Sequence, residues 1–160
     1  MQYVSLFRAL LGLGATVLSG PGSKPPDACK LVTLADVTGA LGAGFTQNPA
    51  GALANSGDMS ACLYQKGPTN TVAIAVLGAP DDDAKAAVLT RQDRQRRAGR
   101  TVTPLPGVCD VAFTVSITPS NTTLIAAKGP WQVEFQVVAG GKPDATAEQK
   151  LAKAACARLP

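Results

Sequence analysis

The amino-acid sequence predicts an α+β fold: a single domain in which three helices flank an antiparallel β-sheet of five to six strands. Element order is the first reason. The segments run as one helix, two strands, one helix, three or four strands and one helix, a grouping that favours a hairpin-built sheet over alternating βαβ units. The second reason is punctuation, because strand-like runs meet across Gly67-Pro68-Thr69-Asn70 and again across Gly129-Pro130. The third is composition. A chain of 160 residues, 46% hydrophobic and 16% charged, can bury one core, and with only 4% aromatics that core is built from Val, Ala and Leu.

Taken in order, the N-terminus MQYVSLFRALLGLGATVLSG has one positive charge, Arg8, an apolar run over 9–18 and then the small residues Ser19 and Gly20. That layout predicts a signal peptide over 1–20, since the run is shorter than the roughly 20 residues of a membrane span. A flexible Pro/Gly-rich lead occupies 21–28, and the domain spans 29–160. Thr33-Leu34-Ala35-Asp36 predicts a helix start in which the hydroxyl and carboxylate satisfy open backbone donors. Leu34, Val37 and Leu41 then share one face, and the helix stops in Gly42 to Gly44. The loop over 45–58 is the longest irregular stretch and a candidate binding segment, or a plain surface loop.

ACLYQKGPTNTVAIAVLG reads as the first hairpin, Val72, Ile74 and Val76 giving one well-packed face. APDDDAKAAVLTRQDRQRRAGR reads as the second helix, with Pro80 near its start, three aspartates compensating the dipole in its first turn, arginines later and Gly99 as its stop. Strands follow over 101–105, 110–118, 123–128 and 131–138. Asp144 or Thr146 caps a final helix that ends at Leu159.

Export changes how the four cysteines are read, because an oxidising compartment favours disulfides. Cys29, Cys62, Cys109 and Cys156 allow three pairings, and spacing does not choose among them. Placement suggests Cys29 with Cys62 and Cys109 with Cys156, which would fasten each terminal helix to a sheet. No C-x-x-C and no histidine is present, so zinc is disfavoured.

DACKLVTLADVTGALG, the later ACLY, VTPLPGVCDVAF and the closing KLAKAACARL together resemble small exported bacterial proteins similar to the DUF3558-type envelope lipoproteins. In that group a Cys precedes a first helix of the form L-T-x-x-x-V-x-x-x-L-G, a second Cys stands in a following strand, an L-P-G-x-G-D-x-A turn comes mid-chain, and the last helix ends in Arg-Leu. The resemblance covers most of 29–160 through short motifs. It implies a helix-flanked antiparallel sheet of the Mog1/PsbP-like kind and a Cys29–Cys62 bond, and no catalytic residue. The chain departs from the pattern twice: it lacks the lipid-attachment cysteine, and Cys109 stands where a second glycine is expected. A periplasmic or secreted location is therefore expected over anchoring, and Cys156 is the natural partner of the added cysteine.

The absence of histidine removes Ser-His-Asp and Cys-His mechanisms and most zinc hydrolases. No S-x-x-K follows a helix start. Glu134 and Glu148 are the only glutamates, and both read as solvated: Glu134 alternates with Val133 and Phe135, and Glu148 lies in a helix's first turn. The Asp81-Asp82-Asp83 run lacks the spacing of a calcium loop. No catalytic residue, metal or cofactor is assigned.

Arg91, Arg94, Arg96, Arg97 and Arg100 form the densest basic patch and, with the sole tryptophan Trp131, are the candidate partner-binding residues. A solvated helix face is the plainer reading of the arginines, and core packing that of Trp131. With few aromatics to stack on bases, nucleic acid is not expected. Asn121-Thr122-Thr123 matches a glycosylation sequon that the bacterial look of the chain makes incidental. Pro106-Gly107 suits a type II turn, and Asp110 is expected to bond that turn's own backbone. These readings point to an exported binding protein rather than an enzyme, its partner another protein or an envelope component. The alternative is a carrier of a small apolar ligand held between sheet and helices.

Overall fold

In a computed structural model, residues 24–48, 59–79, 83–118 and 120–160 are described. The predicted signal peptide over 1–20, most of the candidate loop over 45–58, and Pro80, Asp81 and Asp82 lie outside them. In chain order the elements are α1 (Ala28–Leu31), α2 (Leu34–Leu41), β1 (Thr46–Gln47), β2 (Met59–Gln65), β3 (Thr71–Gly78), α3 (Ala84–Arg97), β4 (Thr101–Pro104), β5 (Val111–Thr118), β6 (Asn121–Lys128), β7 (Trp131–Ala139), β8 (Lys142–Pro143) and α4 (Ala145–Arg158). The strands form one antiparallel sheet in the order β1-β2-β3-β7-β6-β5-β4, with β8 pairing β7 beside it. The class is α+β as expected, with four helices and eight strands among the described residues where three and five to six were predicted.

The additions are small for a physical reason. β1 and β8 are two residues each, too short to show alternation, and α1 is a single turn whose cap, Asp27, accepts from the Cys29 N–H at 2.9 Å. The β7–β8 turn does have a sequence signal: Gly140-Gly141, with φ of 59° and 79°, fills the two central positions of a two-residue hairpin loop that wants positive φ at both. At the far edge, Leu105 N donates to Ala112 O, so Val102 and Pro104 are the residues of β4 that face outward. Proline has no N–H to offer a further strand, and that edge is blunted.

Helices cover both faces of the sheet. On one face α1, α2 and α4 enclose Cys62, Tyr64, Val72, Ile74, Val76, Leu124, Ala126, Val133, Phe135 and Val137, with Leu151 and Ala155 supplied by α4. On the other, α3 lies over Phe113, Val115, Ile125 and Ala127. Alternation along β5, β6 and β7 sends successive side chains to the two layers. The single packed face expected of β3 is thus an underestimate, since Thr71 and Ala73 are buried on its reverse side.

Caps follow the sequence closely. Thr33 and Asp36 form the expected capping box, with Thr33 N donating to Asp36 Oδ2 at 2.8 Å and Asp36 N to Thr33 Oγ1 at 3.3 Å. Asp83, expected in the first turn of α3, is instead its cap and accepts from Ala86 N at 2.8 Å, and the cap of α4 is Asp144 rather than Thr146, accepting from Ala147 N at 2.9 Å. The expected face of α2 needs correction. Leu34 is 41% exposed while Val37 is fully buried, because α2 leans on α4 rather than lying on the sheet.

Arg158, at the end of α4, closes this layer. Its two guanidinium nitrogens reach Asp36 Oδ2 at 2.6 Å and Oδ1 at 2.9 Å, and Nη1 also donates to Leu31 O at 2.6 Å. The Arg158 bonds, with those from Thr33, hold the Asp36 carboxyl well below its usual value of 3.8 against the opposing effect of burial. A depressed carboxyl stabilises the fold above the unfolded-chain value and loses that contribution as pH falls below about 4. Arg158→Ala is expected to cost about 1–3 kcal/mol of stability in urea unfolding at pH 7, with an unchanged m-value, and Asp36→Asn to flatten the acid limb of the stability curve.

Candidate functional site

The arginines predicted to meet a partner are carried by α3, whose buried stripe is Ala84, Val88, Gln92 and Gln95. Those positions fall at i, i+4, i+8 and i+11, one helical face, which leaves the side chains on the opposite face pointing outward. Arg94, Arg96 and Arg97 are exposed at its C-terminal end. Cationic side chains there also complement the partial negative charge of the helix terminus. Only Asp93 stands against them, 3.6 Å from Arg96 and itself in water, a pair of little energetic weight. Arg100, just beyond the helix, donates to Gln95 Oε1 at 2.6 Å and is half-buried.

Arg91 is set apart from the others. It turns under the helix and forms an ion pair with Glu134 of β7, its Nη2 reaching Oε2 at 3.3 Å, while Gln132 Nε2 donates to Glu134 Oε1 at 2.8 Å. Glu134 is 5% exposed, so its reading as solvated is overturned. The alternation was right that Glu134 faces away from Val133 and Phe135, but that reverse face lies under α3 rather than in water. Removing one partner of a pair shielded this far leaves the other charge uncompensated. Arg91 therefore serves the attachment of α3.

Trp131 is also placed inside. At 5% exposure it lies among the core residues at the start of β7, and its indole N–H has no hydrogen-bond partner. No flat aromatic platform faces solvent there.

Glu148 is the second glutamate whose solvated reading fails. It is 0% exposed in the first turn of α4. β6 pairs with β7 only as far as Phe135, and β8 begins its pairing at Val138, so Val137 is left without a strand partner on that side. Asp144 N donates to Val137 O at 3.0 Å and Glu148 Oε1 accepts from Val137 N at 3.1 Å, so cap and carboxyl stand in for the missing strand. The other carboxyl oxygen, Oε2, is buried without a partner. Burial pushes this acid up from 4.5 to about 8, against the lowering effect of the Val137 bond and with a smaller contribution from the charge of Asp144.

The cysteines form two disulfides, Cys29–Cys62 between α1 and β2 and Cys109–Cys156 between the turn before β5 and α4. Their Cα separations are 5.2 and 5.4 Å, ordinary for such bonds. Gly107 has the positive φ, 75°, that the type II turn requires. Asp110 reaches further than expected, accepting at 3.0 Å from Gly129 N in the β6–β7 turn instead of from its own turn's backbone. Asn121 of the sequon is engaged as well, its Oδ1 accepting from Gln136 at 2.9 Å.

No helix among the described residues is long and apolar enough to cross a membrane. Comparison with protein-family models, curated proteins and solved structures finds no match to this chain.

Two outcomes test this geometry. Glu134→Ala should destabilise by about 3–5 kcal/mol in chemical unfolding, well beyond the loss of an exposed pair. Non-reducing peptide mapping should recover only Cys29–Cys62 and Cys109–Cys156 peptides, and reduction of each bond should cost about 2–4 kcal/mol.

Proposed function

We propose that the chain is an exported, disulfide-stapled binding protein that presents the arginine end of α3 to an acidic partner, either another protein or an envelope component. The observation that carries this reading is the exposure of Arg94, Arg96 and Arg97 together. The window 94–100 holds four arginines and no carboxylate, as much positive charge as the net +4 of the whole chain, so the rest of the sequence is neutral in sum. Arginine forks suit carboxylate and phosphate, and a convex helix end suits an extended surface better than a small ion held in a cleft.

Two disulfides support a periplasmic or secreted location, because cytosolic thiol buffers work against such bonds. The likeness of the chain's motifs to exported envelope proteins supports the same compartment. Binding rather than catalysis accords with a sequence that has no histidine and so lacks the commonest general base.

The test uses two defined probes, polyglutamate and vesicles rich in anionic phospholipid, at low and high salt. Near an anionic surface each arginine contributes about 1 kcal/mol, so Arg94→Gln, Arg96→Gln and Arg97→Gln combined should weaken binding on the order of 100-fold and remove its salt dependence, with the melting temperature unchanged. Retention of neither probe by the unaltered protein, or equal retention of the triple variant, would overturn the reading. A small molecule co-purifying in native mass spectrometry would favour the apolar-ligand carrier instead.

A further inference from the structure

Helix α4 is fastened very differently at its two ends. Its C-terminal half carries Cys156, bonded to Cys109, and Arg158, bonded to Asp36 and Leu31 O. Lys128 Nζ adds bonds to Cys156 O at 2.6 Å and Leu159 O at 3.0 Å. Among the described residues the N-terminal end has no disulfide and no ion pair to the sheet. What joins it there is the exchange with Val137, through the Asp144 backbone and the Glu148 carboxyl, together with apolar packing of Ala147 and Leu151.

We propose that Glu148 is a proton-operated latch: while neutral it seats the first turn of α4 against β7, and once it loses its proton that end of the helix lifts into water while the disulfide end stays pinned. A carboxylate without exposure and with one oxygen unpartnered has only the Val137 N–H and the helix terminus to offset its charge where it stands, and no cation, so hydration is the state that ionisation favours. The hinge is supplied by the asymmetry of the fastenings.

Among the described residues no other charge is placed to take over this role. Asp36 is engaged by Arg158, Lys128 bonds carbonyls at the far end of α4, and Glu134 lies on the opposite face of the sheet with Arg91. Tyr64, buried in β2, donates its hydroxyl to Val32 O. Lys30 of α1, Lys142 of β8 and Lys153 of α4 are exposed, and Lys150 reaches across to Gly39 O at 2.6 Å. Asp144, in the preceding turn, adds negative charge and so favours the neutral form of Glu148.

The pH window follows from the direction of the shift. An unfolded chain releases the Glu148 proton near 4.5 and the folded one holds it to about 8. Between those values the folded state binds one more proton, so the folding equilibrium constant falls by as much as tenfold for each pH unit of rise and levels off above 8. With no histidine in the chain and all four cysteines in disulfides, that window is otherwise nearly silent.

The experiment compares the full chain with Glu148→Gln, which keeps an oxygen for Val137 and cannot ionise. Urea midpoints should fall from pH 5 to pH 8 in the unaltered protein and stay level in the variant. Hydrogen exchange, corrected for its intrinsic pH dependence, should show the amides of 147–149 and of Val137 losing protection at pH 9 while those of 154–158 keep theirs, a contrast absent from Glu148→Gln. Equal pH slopes in the two proteins, or uniform loss of protection along α4, would overturn the latch. If Glu148→Gln does not fold, infrared spectra of the unaltered protein decide: a protonated-carboxyl band at pH 7 that disappears by pH 9.5 supports it, and its absence at pH 7 sinks it.

Discussion

A strand in the middle of a sheet that is covered on both faces has no direction in which to send a polar side chain to water. β7 is in that position, with β3 on one side, β6 and β8 on the other, one helical layer above and α3 below. Most of the polar arrangement of the molecule answers to this. Glu134 must find a cation within its layer and takes Arg91, Gln132 then bonds the same carboxylate, and Gln136 turns to Asn121. Where β6 diverges, a carboxyl from α4 supplies the acceptor that Val137 lacks. The same constraint divides the arginines of α3. One is consumed inside the fold, and those a turn further on are left to the solvent.

What the sequence reveals of this is uneven, and the differences have physical causes. Hairpins and caps are local: a glycine-containing turn or a Thr-x-x-Asp needs nothing beyond its neighbours, and these were readable. Disulfide pairing was readable as well, because Cys29 and Cys156 belong to the terminal helices while Cys62 lies in a strand and Cys109 just before one. The second face of the sheet was not. The run Val133-Glu134-Phe135-Gln136-Val137 has the same alternation whether its polar side meets water or a helix. The helix that covers it gives little warning either, since its buried stripe is half glutamine and carries almost no amphipathic signal. Glu148 was hidden for a related reason, as a glutamate in a first turn is ordinary on dipole grounds and the missing strand beside it is a tertiary fact.

The two disulfides and the Arg158–Asp36 pair act on the same layer. α1 and α2 are small, four and eight residues, and neither buries enough apolar surface to hold itself on the sheet. α1 is fastened by Cys29–Cys62 and by the Ala28 N–H to Ser60 Oγ bond at 2.9 Å, while α2 is fastened to α4. The Arg158-Leu159 pair has a physical role in this layer: the arginine bridges α1 and α2 to α4, and Leu159 is buried.

That bridge spans almost the whole chain, since Leu31 and Arg158 are separated by 127 positions. Contacts so distant in sequence carry a large closure entropy and come late in folding. Until residues 145–158 are available, the apolar face formed by β2, β3, β6 and β7 has lost its largest cover, and a nascent chain that has made the whole sheet still cannot complete its core. A sheet formed before residues 145–158 are in place keeps one apolar face open to water, which makes the docking of α4 the step that closes the core.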